Sequence, residues 1–290
     1  MFETLQAEIA ISHALQAGAT SSLDSFFLVI TWLGHPFVWM FLVAFFYWKG
    51  DEKKSFFLAV TILFASAVVG ILKPILARAR PSEELFRVIV HEIDSPFGLP
   101  SGHAATISSI FGYYWEKFEH AAKFTGLAIV VIVLISRIYL GAHFIGDVIL
   151  GAFIGFLIGR LVHELEAKFK NIKINNKKML EEVGIAGSII FAIIISALFR
   201  PLGLATGLLG YFAGVFAYKY FGFDNKKILG KELWVKAIFG FLGLGLLMYG
   251  AELTLLGPEL YFAGGIWISF VYPLAYDTTA SLLKYSKLKK

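Results

Sequence analysis

Phe144–Val162 reads FIGDVILGAFIGFLIGRLV. These 19 residues hold one acid, Asp147, near the start and one base, Arg160, near the end. At a rise of about 1.5 Å per residue the stretch reaches roughly 28 Å, close to the thickness of a bilayer's hydrocarbon core. Backbone in lipid must satisfy its own hydrogen bonds, so an apolar run of this length is a helix and not a loop. Gly151, Gly155 and Gly159 recur every fourth residue and therefore share one face. A face without side chains admits a second helix at close range. Asp147 is a carboxylate at membrane depth, where ionisable groups are costly and usually functional.

Eight more apolar runs surround this one: Phe26–Trp48, Phe56–Leu72, Ala104–Trp115, Phe124–Ile135, Val183–Phe199, Leu202–Tyr218, Ala237–Tyr249 and Leu260–Tyr276. Two of them, Ala104–Trp115 and Phe124–Ile135, are shorter than a span and need extension through flanking polar residues. Over the 290 residues, 58% are hydrophobic and only 16% charged, against roughly 25% charged in an average soluble domain. That balance excludes a disordered chain and argues against a soluble one. With no cysteine there is neither a disulfide nor a thiolate metal site. The expected fold is therefore all-α: a polytopic transmembrane helix bundle of about nine spans, preceded by an interfacial amphipathic helix.

That helix is expected over residues 1–20, where Phe2, Leu5 and Ile9 recur at helical spacing and no basic residue supplies the n-region of a signal peptide. A five-span membrane core follows over 21–170. Residues 171–182 form a basic linker, and 183–290 a four-span extension. Threading the chain through the bilayer places 20 Lys and Arg on one side and 5 on the other. The basic side stays cytoplasmic. The N-terminus then lies outside and the C-terminus inside. The net charge of +5 thus reads as membrane topology and not as a nucleic-acid surface.

Three clusters are polar where the pattern requires membrane, and all three fall on the outer side. Lys73 and Arg80-Pro81 lie at the end of the second run. Pro100-Ser101-Gly102-His103 opens the third. Ser136-Arg137, His143 and Asp147 join the fourth and fifth. Lys73, Arg80 and Arg137 have few acidic neighbours in sequence, so a multiply charged anion is their natural counter-ion. The planar fork of arginine donors matches phosphate oxygens. Pro and Ser ahead of an apolar run mark a helix N-terminus, whose amides and dipole favour an anion. Gly102 lets backbone approach that anion. His143 and Asp147 are four apart and share a helix face. A carboxylate there holds one imidazole nitrogen protonated and leaves the other as a nucleophile. His103 is then the second imidazole, a general acid. Arg78 and Arg87 read as interfacial anchors whose heads snorkel to water. His35 reads as a hydrogen-bonded histidine at a Pro36 kink. Ser82–Phe97, with Glu83, Glu84, Glu92 and Asp94, reads as an acidic lid or a solvated loop.

In order, spacing and shared side the clusters resemble the signature of the type 2 phosphatidic acid phosphatase superfamily, K-x6-R-P, P-S-G-H and S-R-x5-H-x3-D. Every fixed position matches, and the resemblance covers roughly residues 26–160. It implies that Lys73, Arg80 and Arg137 bind phosphate with Ser101 and Gly102. It also implies that His143, oriented by Asp147, attacks phosphorus to give a phosphohistidine, and that His103 protonates the leaving oxygen. No metal or other cofactor is implied. Many membrane members have a six-helix core, whereas five spans precede the end of the third motif here. The N-terminal helix would replace the missing one. The implied partner is a membrane lipid phosphate in the bilayer of a bacterial-type plasma membrane: undecaprenyl pyrophosphate, phosphatidylglycerophosphate, phosphatidic acid or a sphingoid phosphate. A phosphotransferase using the same histidine, or an anion transporter using the same cations, are the alternatives.

Overall fold

A computed structural model describes residues 5–92, 95–169, 176–198, 203–254 and 257–288. Phe2, Asp94 and residues 171–175 of the basic linker lie outside the described residues. Twelve α-helices make up the described chain. They are α1 (Gln6–Gln16), α2 (Ser21–Thr31), α3 (Pro36–Trp48), α4 (Glu52–Leu76), α5 (Gly102–Tyr114) and α6 (His120–Tyr139). There follow α7 (Ile145–Phe169), α8 (Lys177–Leu198), α9 (Gly203–Tyr220), α10 (Lys231–Leu253), α11 (Gly257–Ile266) and α12 (Tyr272–Leu288). Among the described residues, β-pairing is confined to one bridge between Ala79 and Phe97. The fold is all-helical, and its long apolar helices make it an integral membrane protein.

By length and composition four described helices can cross a membrane: α4, α6, α7 and α10. The bent pair Ser21–Gly34 and Pro36–Trp48 makes five if counted as one span. The expectation of about nine counted every apolar run as a span. The third run is one that falls short of a span by length among the described residues. At 13 residues, α5 reaches only about 20 Å, and it is buried from Ala104 to Tyr113. Its apolar character serves protein packing, not lipid contact. The first run breaks where His35-Pro36 predicts, since proline disfavours helical backbone at the residue before it.

The chain forms two compact units. One comprises Met1–Trp39 and Val60–Ile172, the other Met40–Ala59 and Lys173–Lys290. Residues 40–59, which sequence order places in the catalytic core, thus pack with the C-terminal helices. In the first unit α5 lies along the glycine face of α7. A Cβ at Gly151 would stand 2.5 Å from the Ser101 carbonyl oxygen, one at Gly155 2.2 Å from that of Ala105, and one at Gly159 1.9 Å from that of Ser109. Gly112 returns the favour from α5, with the Phe156 carbonyl oxygen at 2.4 Å from its would-be Cβ. The two backbones touch, and this contact fixes the start of α5 against the start of α7. In the second unit α9 and α11 meet in the same way at Gly210 and Gly265. The Lys236 ammonium is buried there, 3.4 Å from Asp277.

Helix α1 turns a polar face inward. Glu8 and Ser12 are buried, while Leu5 and Ile11 are exposed. Of the residues that suggested an interfacial helix, Leu5 is exposed and Ile9 half-buried, and the Glu8 carboxylate points into the protein.

Candidate active site

The three clusters converge in the first unit. Lys73 comes from the last turn of α4, and Arg80 from the segment after it. Ser101 caps α5, accepting a hydrogen bond from the Ala104 amide at 3.5 Å. Its own amide donates to the Asp147 carbonyl at 2.9 Å, so the second and third motifs are joined through backbone. Arg137 ends α6. The chain then reverses at Gly141, whose φ of +73° is the left-handed region that favours glycine. This turn delivers His143 immediately before α7.

His143 is 1% exposed and Asp147 fully buried. Imidazole Nδ1 lies 3.4 Å from Asp147 Oδ2, and Nε2 lies 3.2 Å from Arg80 Nη1. Guanidinium has donors only, so Nε2 must be the accepting, unprotonated nitrogen. Nδ1 therefore carries the proton and points it at Asp147. Burial, and then the charges of Arg137, Arg80 and Lys73, hold the His143 ring well below the ordinary histidine range. A neutral imidazole with its Nε2 lone pair facing a nest of cations can act as a nucleophile toward an anion held by them.

Two of those cations are anchored by backbone carbonyls and the third by side chains. Lys73 Nζ donates to the Phe97 carbonyl at 2.8 Å. Arg80 donates to the carbonyls of Ser95 and Ala142, each at 3.0 Å. Arg137 is fully buried and donates through Nη1 to Thr31 Oγ1 at 2.7 Å. Its Nη2 pairs with Glu92. The His103 ring stands edge-on to His35 with centroids 5.3 Å apart, and its Nδ1 is 3.7 Å from Glu92 Oε1. The site can bind a phosphoryl oxygen cluster, deliver a nucleophilic nitrogen and supply a second imidazole for proton transfer. It is poorly suited to a cation, because three positive side chains face its centre.

All eight expected residues (Lys73, Arg80, Ser101, Gly102, His103, Arg137, His143 and Asp147) thus lie in the first unit around one locus. The structure adds residues that the sequence reading passed over. Arg78 is not a snorkelling anchor. It is 4% exposed, donates to Asp147 Oδ1 at 3.0 Å and pairs with Glu8. Its position two residues before Arg80 was the available signal, because both then lie beside the same motif. Arg87 is exposed, as an interfacial anchor would be, and forms a two-point pair with Asp24, whose carboxylate also accepts from the Tyr139 hydroxyl. The acidic Ser82–Phe97 segment divides. Glu83 and Glu84 are exposed, whereas Glu92 is folded onto Arg137. Ser136 is buried and donates to the Val133 carbonyl at 2.6 Å, facing its own helix.

Comparison with known proteins finds similarity over the part of the chain that holds this site. The PAP2 superfamily model matches residues 54–170. The lipid A 4'-phosphatase of Porphyromonas gingivalis is 28% identical over 158 residues, covering 49% of this chain and 66% of that protein. Phosphatidylglycerophosphatase B of Bacillus subtilis is 36% identical over 113 residues, covering 36% of this chain and 53% of that one. These alignments leave a third or more of each relative unmatched. A solved transmembrane PAP2-type phosphatidylglycerolphosphate phosphatase from Bacillus subtilis is 27% identical, covers 59% of this chain and 88% of its own, and superposes with a TM-score of 0.46.

Proposed function

We propose that this chain, whose residues 54–170 match the PAP2 superfamily model, is a lipid phosphatase working through a histidine-bound phosphoryl group. The observation that carries this reading is the His143 ring, with Nδ1 toward Asp147 and Nε2 toward Arg80. Lys73, Arg80 and Arg137, with the Ser101–Gly102 start of α5, bind the phosphate and stabilise charge gathering on its oxygens. To reach Arg137 the phosphate displaces the Glu92 carboxylate, because two anions cannot share that guanidinium without repulsion.

In the first step Nε2 of His143 forms a bond to phosphorus while the bond from phosphorus to the lipid oxygen breaks. His103 gives that oxygen a proton. In the second step the now neutral His103 takes a proton from water as the water oxygen attacks phosphorus. The P–N bond breaks and the electron pair returns to Nε2. Asp147 stabilises the positive ring while it carries phosphate. No metal ion takes part in either step.

The substrate class is a membrane-embedded phosphomonoester or diphosphate: undecaprenyl pyrophosphate, phosphatidylglycerophosphate, phosphatidic acid or a sphingoid phosphate. The names of the relatives add a phosphorylated lipid A. The 20-to-5 division of basic residues supports an outward-facing site and a cytoplasmic C-terminus in a bacterial-type plasma membrane. Purified protein in detergent, assayed with chelator present against a panel of these lipids, tests the reading. Phosphate should be released from at least one of them by wild type and not by His143→Ala. Equal release by the variant overturns the assignment of the nucleophile, and a need for added Mg²⁺ or Zn²⁺ overturns the metal-free chemistry.

A further inference from the structure

Asp147 uses both carboxylate oxygens, and only one of them serves His143. Oδ2 faces the imidazole and accepts the Phe144 amide at 3.0 Å. Oδ1 accepts from Arg78 Nη1 at 3.0 Å. The other arm of that guanidinium, Nη2, pairs with Glu8 of α1. Glu8 in turn accepts the amide of Gly146, the residue next to Asp147, at 2.9 Å, and the amide of Leu5 at 2.9 Å. Glu8, Arg78 and Asp147 are all buried. The guanidinium also lies over the Phe144 ring, 5.1 Å from its centroid.

We propose that Arg78 and Glu8 are positioning residues for the reaction, holding Asp147, and through it the His143 ring, in the orientation that phosphoryl transfer requires. The inference rests on the phosphatase reading above. A carboxylate anchored at one oxygen can swing about its side-chain bond. One gripped at both oxygens, by an imidazole and a buried guanidinium, cannot. Glu8 has a second effect. Arg78 alone would neutralise Asp147, and the carboxylate would do little to stabilise the imidazolium-like ring of the intermediate. A second carboxylate on the same guanidinium shares its charge and leaves Asp147 with more of its own. The N-terminal helix is thereby part of the reaction apparatus and not merely a membrane anchor.

The test compares Glu8→Gln, Arg78→Lys, Arg78→Ala and His143→Ala with wild type. Each is made in the full chain and assayed in detergent on short-chain phosphatidic acid, phosphatidylglycerophosphate and undecaprenyl pyrophosphate. Glu8→Gln keeps shape and loses charge, so kcat should fall about 10- to 100-fold with KM within about twofold, the signature of misplacement and not of lost substrate binding. Arg78→Lys should fall similarly, because an ammonium cannot reach both carboxylates in a plane. Arg78→Ala leaves two buried carboxylates unpaired and is the variant most prone to misfold. Millimolar guanidinium should restore part of its kcat and leave wild type unaffected. A purely structural role would lower the melting temperature while the folded fraction kept wild-type kcat. That result, with His143→Ala inactive, overturns this inference and leaves the phosphatase reading standing. Wild-type activity in His143→Ala, or no hydrolysis by wild type of any of the three lipids or of a sphingoid phosphate or phosphorylated lipid A, overturns the phosphatase reading, and this inference falls with it.

Discussion

Gly155→Ala adds one methyl group at the tightest useful point in the site's scaffold. The new Cβ would stand 2.2 Å from the Ala105 carbonyl oxygen and 2.8 Å from the Ala105 Cα and carbonyl carbon, all of them backbone. No side chain can swing aside. Bringing that contact to the 3.4 Å of ordinary packing moves α5 away from α7 by about 1 Å. Overpacking of this kind costs roughly 1–3 kcal/mol of stability. The same shift carries Ser101, Gly102 and His103 away from His143 and Asp147, because the two motifs are joined at the helix starts. A displacement of about 1 Å in a reacting constellation costs on the order of 100-fold in rate. Phosphate release and thermal melting in detergent should be measured on the same preparation. The control is Gly187→Ala in α8, where nothing lies within 4 Å of the added carbon. It should keep wild-type rate and gain about 0.5–1 kcal/mol from better helix propensity. Wild-type kcat and melting in Gly155→Ala would refute the claim that backbone contact between α5 and α7 sets the site.

Asp147→Asn keeps the side chain's shape but offers His143 a group that tolerates the wrong tautomer. Its kcat should drop by about 10³- to 10⁴-fold, read from initial rates, with the fold intact by circular dichroism. Glu8 is buried, which raises its pKa. Its bonds to Arg78 and to the Leu5 and Gly146 amides outweigh that and hold it below the ordinary 4.5. A depressed carboxylate stabilises the fold above its unfolded pKa, and that contribution is lost as pH falls through the folded value. Melting temperature should therefore fall more steeply below pH 4.5 in wild type than in Glu8→Gln, and parallel curves would count against the pairing. The chain has no native cysteine, so a cysteine at Ser82 should react with an impermeant thiol reagent on intact cells, and one at Asn176 only after permeabilisation. The reverse pattern would put the site in the cytoplasm.

The contacts legible in the sequence are those between residues close in the chain. His143 and Asp147 are one helical turn apart, and the glycines of α7 repeat on one face, so local geometry alone announces both the pair and the seam. The break at His35-Pro36 follows from proline's own stereochemistry. What escaped depends on partners far away. Arg78 meets Glu8 across 70 residues, and Arg137 meets Glu92 across 45. No periodicity links such pairs, so Arg78 looked like a solitary interfacial cation. The same blindness affects α5. Hydropathy reports that Ala104–Tyr113 avoids water but not whether its surroundings are lipid or protein. Only the packing against α7 settles which.

In the proposed mechanism His143 itself carries the phosphoryl group. Rapid quenching of wild type mixed with a ³²P-labelled lipid phosphate, followed by proteolysis and mass spectrometry, reads this directly. The account predicts an acid-labile, base-stable label on the peptide containing His143, formed no more slowly than product and absent from His143→Ala. With a phosphate ester whose leaving group needs no protonation, such as p-nitrophenyl phosphate, the label should accumulate in His103→Ala, because there only the second step is slowed. Turnover with no label on wild type or on His103→Ala, or a label on any other residue, would contradict it.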